Sequence, residues 1–180
     1  EGAQAQTVGS HDTELDRLMA RQWRKEVYDL EKMLRFNGRP AAVLKRRSWG
    51  LRCTKCTDPV LRDATRSTCK ICYGTGFSGG FWTAVRTRVR RHSEQRTSED
   101  GAGPRSDGLA AQILMPHAPL VEKSDVLVFL DDNARFRVEG FARPLVTRIP
   151  SRQVLVASEV ESSHILYTIR VDADGVGALV

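Results

Sequence analysis

The sequence predicts an α+β chain that is mainly β: a small antiparallel β-barrel with an N-terminal amphipathic helix and an inserted zinc-ribbon-like module. Three observations predict it. Apolar residues recur every three or four positions between Thr13 and Phe36. Two C-x2-C pairs, Cys53/Cys56 and Cys69/Cys72, hold every cysteine in the chain. From residue 83 onward, short alternating runs follow one another with turn residues between them and no helical pattern.

Composition bounds the answer. The chain has 180 residues, enough for one medium domain or a small domain with appendages. Its 41% hydrophobic content can form a core. No stretch approaches the roughly 20 apolar residues that span a bilayer, so no membrane partner is expected. The segment EGAQAQTVGSHD has neither a basic nor an apolar region of the kind a secretion signal carries. Lysine and arginine outnumber acids, 28 to 22, which favours an anionic neighbour such as nucleic acid or an acidic protein surface.

The expected organisation has four parts. Residues 1–38 are a flexible arm plus the helix, and 39–82 a strand and the four-cysteine zinc module. Residues 83–171 are the barrel, with a mobile loop at 93–108, and 172–180 a C-terminal tail.

Leu15, Leu18, Met19, Trp23, Val27, Leu30, Met33 and Leu34 give the helix its apolar face. Asp12 or Thr13 is the expected cap, and Asn37-Gly38 followed by Pro40 the stop. AAVLKRRS reads as a short strand. In TAVRTRVRRH, Val85, Thr87 and Val89 face one way and Arg86, Arg88 and Arg90 the other. Those three guanidinium groups form a candidate electrostatic contact surface, toward DNA or an acidic partner.

LAAQILM reads as a strand ahead of Pro116 and Pro119. DVLVFL and ARFRVEGF read as a hairpin around Asp131-Asp132-Asn133, with Phe136 and Val138 inward and Arg135, Arg137 and Glu139 outward. RQVLVASEV and SHILYTIRV read as a second pair joined near Glu161-Ser162-Ser163, with Ile165, Tyr167, Ile169 and Val171 on one face.

The cysteine spacing carries the chemistry. Each C-x2-C turns two thiolates to one side, and two such knuckles supply the four soft ligands of a tetrahedral Zn²⁺ site. Disulfides are the weaker reading, because a bond within one C-x2-C closes only a tiny loop. A redox dithiol needs one reactive pair rather than two copies. Four cysteines close the metal's shell, so the expected role of Cys53, Cys56, Cys69 and Cys72 is structural, with no open position for catalysis. Gly74 and Gly76 let the backbone turn tightly past the metal, and Phe77, Phe81 and Trp82 are the expected lid between module and body.

No GxGxxG, Walker loop or GxSxG occurs. His11, His92, His117 and His164 are scattered, and Glu99-Asp100 and Asp131-Asp132 read as turn carboxylates. The expectation is therefore a protein without catalytic residues.

The order of these parts resembles the neck proteins of tailed bacteriophages, of the head-closure or head–tail connector type. The residues that carry the resemblance are the four cysteines, YGTGF at 73–77, Gly79-Gly80-Phe81, Asp125-Val126 and RFRVEGF at 135–141; it spans most of residues 40–171. The resemblance implies a ring of many copies in the virion neck, assembled in the host cytoplasm. It also implies portal or adaptor proteins above, tail or terminator proteins below, and DNA passing through the channel. The main rival is a zinc-ribbon nucleic-acid-binding protein of transcription or translation type, which would share the cysteines and the positive charge. A third reading, an enzyme such as a nuclease with a structural zinc, lacks a carboxylate or histidine cluster.

Overall fold

The computed structural model describes residues 11–56, 68–92, 110–145 and 149–171. The polar arm at 1–10, the loop at 93–108 and the tail at 172–180 lie outside the described residues. Helix α1 spans His11–Asn37, so Asp12 and Thr13 fall inside it rather than before it. Strands β1 (Arg39–Leu44), β2 (Val85–His92), β3 (Ala110–Pro116), β4 (Val126–Phe129), β5 (Arg135–Ala142) and β6 (Arg152–Glu159) follow. All pairings are antiparallel, and the order β1-β2-β3-β6-β5-β4 closes on itself into a six-stranded barrel.

Alternation fills the barrel. Ala41, Val43, Val89, Ile113, Met115, Leu127, Phe129, Phe136, Val138, Leu155 and Ala157 belong to one buried interior cluster. The β4–β5 hairpin turns at Asp131-Asp132-Asn133 as expected, with Asn133 at φ 57°. β1 and β4 are buried at every residue from Ala41 to Leu44 and from Val126 to Phe129. Their continuous apolar runs follow from cover on both sides. The outer side of these two strands holds a second cluster, in which Ala42, Leu44, Val126 and Val128 meet Phe81, Ala84, Val160, Leu166 and Ile169.

That second cluster corrects two expectations. Residues 164–171 do not form a strand. β6 is already paired on both sides, with β3 and β5, so the closed wall offers no edge to join. The turn near Glu161 does form, with the His164 N–H donating to the Glu161 carbonyl. Then Ile165–Thr168 makes a 3₁₀ turn capped by His164, whose Nδ1 accepts from the Leu166 N–H at 3.1 Å. Leu166 and Ile169, three apart, are the buried pair, in place of a single face of alternate residues.

Arg135 does not point to solvent. It is 2% exposed, because the outer face it occupies is covered by this same segment. Its guanidinium donates to the carbonyls of Leu166 and Ile169 and to Asn133 Oδ1, and lies over the Tyr167 ring. Burial holds its pKa below the ordinary arginine value.

α1 seats its C-terminal half on β2 and β3. Leu34 is buried there, the Trp23 Nε1–H donates to the Pro150 carbonyl, and Glu26 accepts from the Ser151 hydroxyl. Gly38 ends the helix with its N–H on the Leu34 carbonyl, where a Cβ would come within 2.4 Å of that oxygen.

Candidate metal centre

The segment between β1 and β2 leaves the barrel wall and returns to it. Its two arms run antiparallel: the Arg47 N–H donates to the Gly80 carbonyl, Trp82 to Lys45, Cys53 to Gly76 and Ser78 to Leu51. Bridges pair Arg46 with Phe81 and Arg52 with Phe77. Along this irregular ribbon the two C-x2-C turns face each other. Tyr73, Gly74 and Gly76 take φ values of 51°, 80° and 82°, the tight left-handed turning expected after the second knuckle. Gly80 is needed for a further reason: at φ 65°, a Cβ there would lie 2.7 Å from the Tyr73 ring and 2.8 Å from the Cys72 carbonyl.

The Sγ atoms of Cys53, Cys56, Cys69 and Cys72 all lie within 4.8 Å of one another. None is in a disulfide. A tetrahedral ion with bonds of ~2.3 Å requires sulfur–sulfur edges of about 3.8 Å. Cys53 Sγ and Cys69 Sγ are 3.8 Å apart, and Cys56 Sγ and Cys72 Sγ 3.0 Å. Four sulfurs so gathered are compatible with a soft metal ion in a four-sulfur shell, although the Cys56–Cys72 edge is shorter than that ideal.

The protein already tunes these sulfurs. Hydrogen bonds from the N–H groups of Ile71 and Cys72 pull the Cys69 thiol down to about 6. Burial, reinforced by the neighbouring thiols, pushes the Cys56 thiol well above its usual range. Without a cation among them, one sulfur favours the thiolate and another resists it. A bound dication removes that conflict by stabilising all four thiolates.

The expected lid divides its labour. Phe81 is buried in the cluster over β1 and β4, with Tyr73 packed beside it. Phe77 lies under the Arg52 guanidinium, 4.7 Å away. Trp82 meets Trp49 at a 47° tilt, with centroids 4.9 Å apart, and carries the Arg47 guanidinium at 4.5 Å.

The candidate basic face is split. Arg86, Arg88 and Arg90 are all exposed. One Arg88 nitrogen donates to the carbonyls of Arg35 and Gly38, where α1 ends, and Arg90 reaches Met33 Sδ at 3.8 Å. On the opposite face Val89 is buried, Thr87 half-buried and Val85 exposed. Sequence reasoning missed the Arg88 clasp: alternation marks the arginine as outward, and only the resting place of the helix end, with its free carbonyls, gives it a partner. Among the described residues, no helix is long and apolar enough to cross a membrane.

No protein-family model matches the chain, and no curated protein matches it.

Proposed function

We propose that this chain is a structural subunit of a tailed-bacteriophage neck, a ring-forming head-closure or connector protein that joins the portal end of the head to the tail. Its zinc-bound cysteine module would work as a brace. The observation that carries the reading is the second cluster: Phe81, from the cysteine module, is buried against the outer wall of β1 and β4 together with Leu166 and Ile169. A metal held by Cys53, Cys56, Cys69 and Cys72 would therefore fix a module that is itself keyed into the barrel. That suits a part that transmits load and performs no chemistry. Zinc would supply a rigid four-sulfur node, and the protein's own groups orient it through the N–H donors on Cys69. The basic residues of β2 would face DNA in the channel or an acidic neighbour, with Arg86 the freest of the three.

The test is a map of purified virions. The reading expects this chain in a ring at the head–tail junction, and its absence from virions overturns it.

A second reading, a zinc-ribbon nucleic-acid binder, is favoured by one observation: the exposed Trp49, beside Trp82 and Arg47, offers an aromatic face a base could stack on. A monomer that shifts a nucleic-acid probe, with no virion association, would favour it.

A further inference from the structure

His164 is held in one tautomer by its own backbone. Its Nδ1 accepts from the Leu166 N–H at 3.1 Å, in the cap of the 3₁₀ turn. An accepting ring nitrogen carries no proton, so the neutral imidazole bears its hydrogen on Nε2. That Nε2 lies 3.4 Å from Nη2 of Arg137. A guanidinium has donors only. Two donors therefore meet, and neither can accept from the other. Among the described residues Arg137 forms no ion pair that would occupy it elsewhere.

Arg137 lines a recess of about 130 Å³, together with Arg46, Thr75, Ser124 and Leu166. Three parts of the molecule meet there: the cysteine module, the barrel wall and the C-terminal segment. Arg46 also forms no ion pair among the described residues. The nearby carboxylates are engaged elsewhere. Asp125 is buried, and its two oxygens accept from the N–H groups of Arg46 and Glu122, with Lys45 at 4.0 Å. Glu159 pairs with Arg91, and Glu139 accepts from the Ser158 hydroxyl. Glu161 is close enough to favour the His164 cation, but burial and the Arg137 charge outweigh it, and its Oε2 accepts from the Ser163 hydroxyl.

We propose that this recess binds a small phosphate-type oxyanion, held by the Arg137 guanidinium and the His164 Nε2–H, with Arg46 as the second guanidinium. An oxyanion accepting from both Arg137 and His164 turns a donor–donor contact into a pair of hydrogen bonds, the arginine's being charge-assisted. Two guanidinium groups suit a phosphoryl group, which carries roughly two negative charges at neutral pH, better than a carboxylate. The recess is well below the roughly 300–1,000 Å³ of pockets for drug-sized ligands, so it admits a free ion or the end of a monoester and not a whole nucleotide. The bound ion would tie module, wall and C-terminal segment at one point. This inference does not depend on the neck reading above.

Calorimetric titration of the full chain with inorganic phosphate tests it, alongside a proton-detected titration of the His164 ring with and without the ion. One phosphate should bind per chain, and the His164 pKa should rise on saturation, because a bound anion favours the imidazolium. Arg46→Gln and Arg137→Gln should each weaken binding roughly tenfold or more, the worth of a hydrogen bond to a charged group. His164→Asn keeps an acceptor for the Leu166 N–H but loses the Nε2 donor, and should weaken binding too. Arg46 is exposed, so Arg46→Gln should melt like the wild type in phosphate-free buffer, which separates loss of binding from loss of fold. O-phosphoserine as a second probe distinguishes the sources. Binding that matches phosphate assigns the site to a monoester, and binding of phosphate alone assigns it to the free ion; either supports the proposal. Absence of saturable binding, a His164 pKa unmoved by phosphate, a response equalled by chloride at the same ionic strength, or variants that bind like the wild type would each overturn it. So would a chain that takes phosphate only after Glu161→Gln, since that carboxylate would then be the native acceptor.

Discussion

The Arg135 guanidinium donates to the Ile169 carbonyl at 2.7 Å, from inside a layer where no carboxylate among the described residues pairs with it. Backbone oxygens and a tyrosine ring take the place of a counter-ion. This one side chain fastens the C-terminal segment to the barrel wall.

Arg135→Met should therefore loosen that segment. It would leave the buried Ile169 carbonyl without this donor, at roughly 1–3 kcal/mol, while the Leu166 carbonyl keeps the Ile169 N–H, and the loss is partly offset by no longer burying a charge. The expected outcome is a loss of about 1–2 kcal/mol in urea unfolding, with amides at 165–171 losing hydrogen-exchange protection first. An unchanged midpoint would contradict the fastening role.

Metal analysis should find one zinc per chain, and Cys69→Ser should hold none. Structural zinc contributes roughly 10–16 kcal/mol of apparent folding free energy in small peptides, far more than the module could replace. The module should unfold on chelation or substitution. Phe81 would withdraw from the second cluster, so exchange protection should fall in β1 and β4 while the β3–β6 pairing persists.

Arg86 and Arg88 should separate experimentally although they share a strand face. Arg88→Ser removes the donor that meets two carbonyls at the end of α1 and should cost about 0.5–1.5 kcal/mol. Arg86→Ser should leave stability unchanged and alter only binding to an anionic partner, in a salt-dependent way. Thermal melts of the two variants, with DNA retention measured across ionic strength, decide this.

His164 gives the C-terminal segment a pH dependence. Burial, then the nearby Arg137 charge, hold its pKa below the ordinary 6.5. The neutral ring is the one that accepts from the Leu166 N–H. A depressed folded-state pKa means that this stabilisation is complete above pH 6.5 and is lost as pH falls through the lower folded value. Wild type should thus lose stability on mild acidification relative to His164→Asn, and a proton-detected titration of the ring should show the lowered midpoint.

Much of this was legible in the sequence, for identifiable reasons. The barrel strands announce themselves by alternation, as in Phe136 and Val138, and the hairpin by its Asp-Asp-Asn turn. The metal cluster is legible because ligand spacing is local. Arg135 and residues 164–171 were misread for one shared cause. Alternation says which residues lie on opposite faces, but not whether the outer face is bare. Here the segment expected to be a strand is itself the cover that buries the arginine expected to be exposed. The Arg88 clasp was out of reach of pattern alone, since it depends on where a helix comes to rest.

The barrel closes by pairing Ala41 with Phe129, partners separated by half the chain. Such a seam is slow to find, because distant segments must meet before any contact offsets the lost freedom. The cysteine cluster needs no such search: Cys56 and Cys72 are only 16 residues apart. Once its arms are bridged, Arg46 is held beside Phe81, and the ends of β1 and β2 emerge together in antiparallel order. A metal bound there would make a neighbouring pair out of two strands that the chain separates by a long excursion. Loop-closure entropy favours an order of events in which the ion is captured first, β1 and β2 zip next, and the β1–β4 seam shuts last. A chain starved of zinc should reach the same barrel more slowly, with its apolar first strand left waiting for a partner.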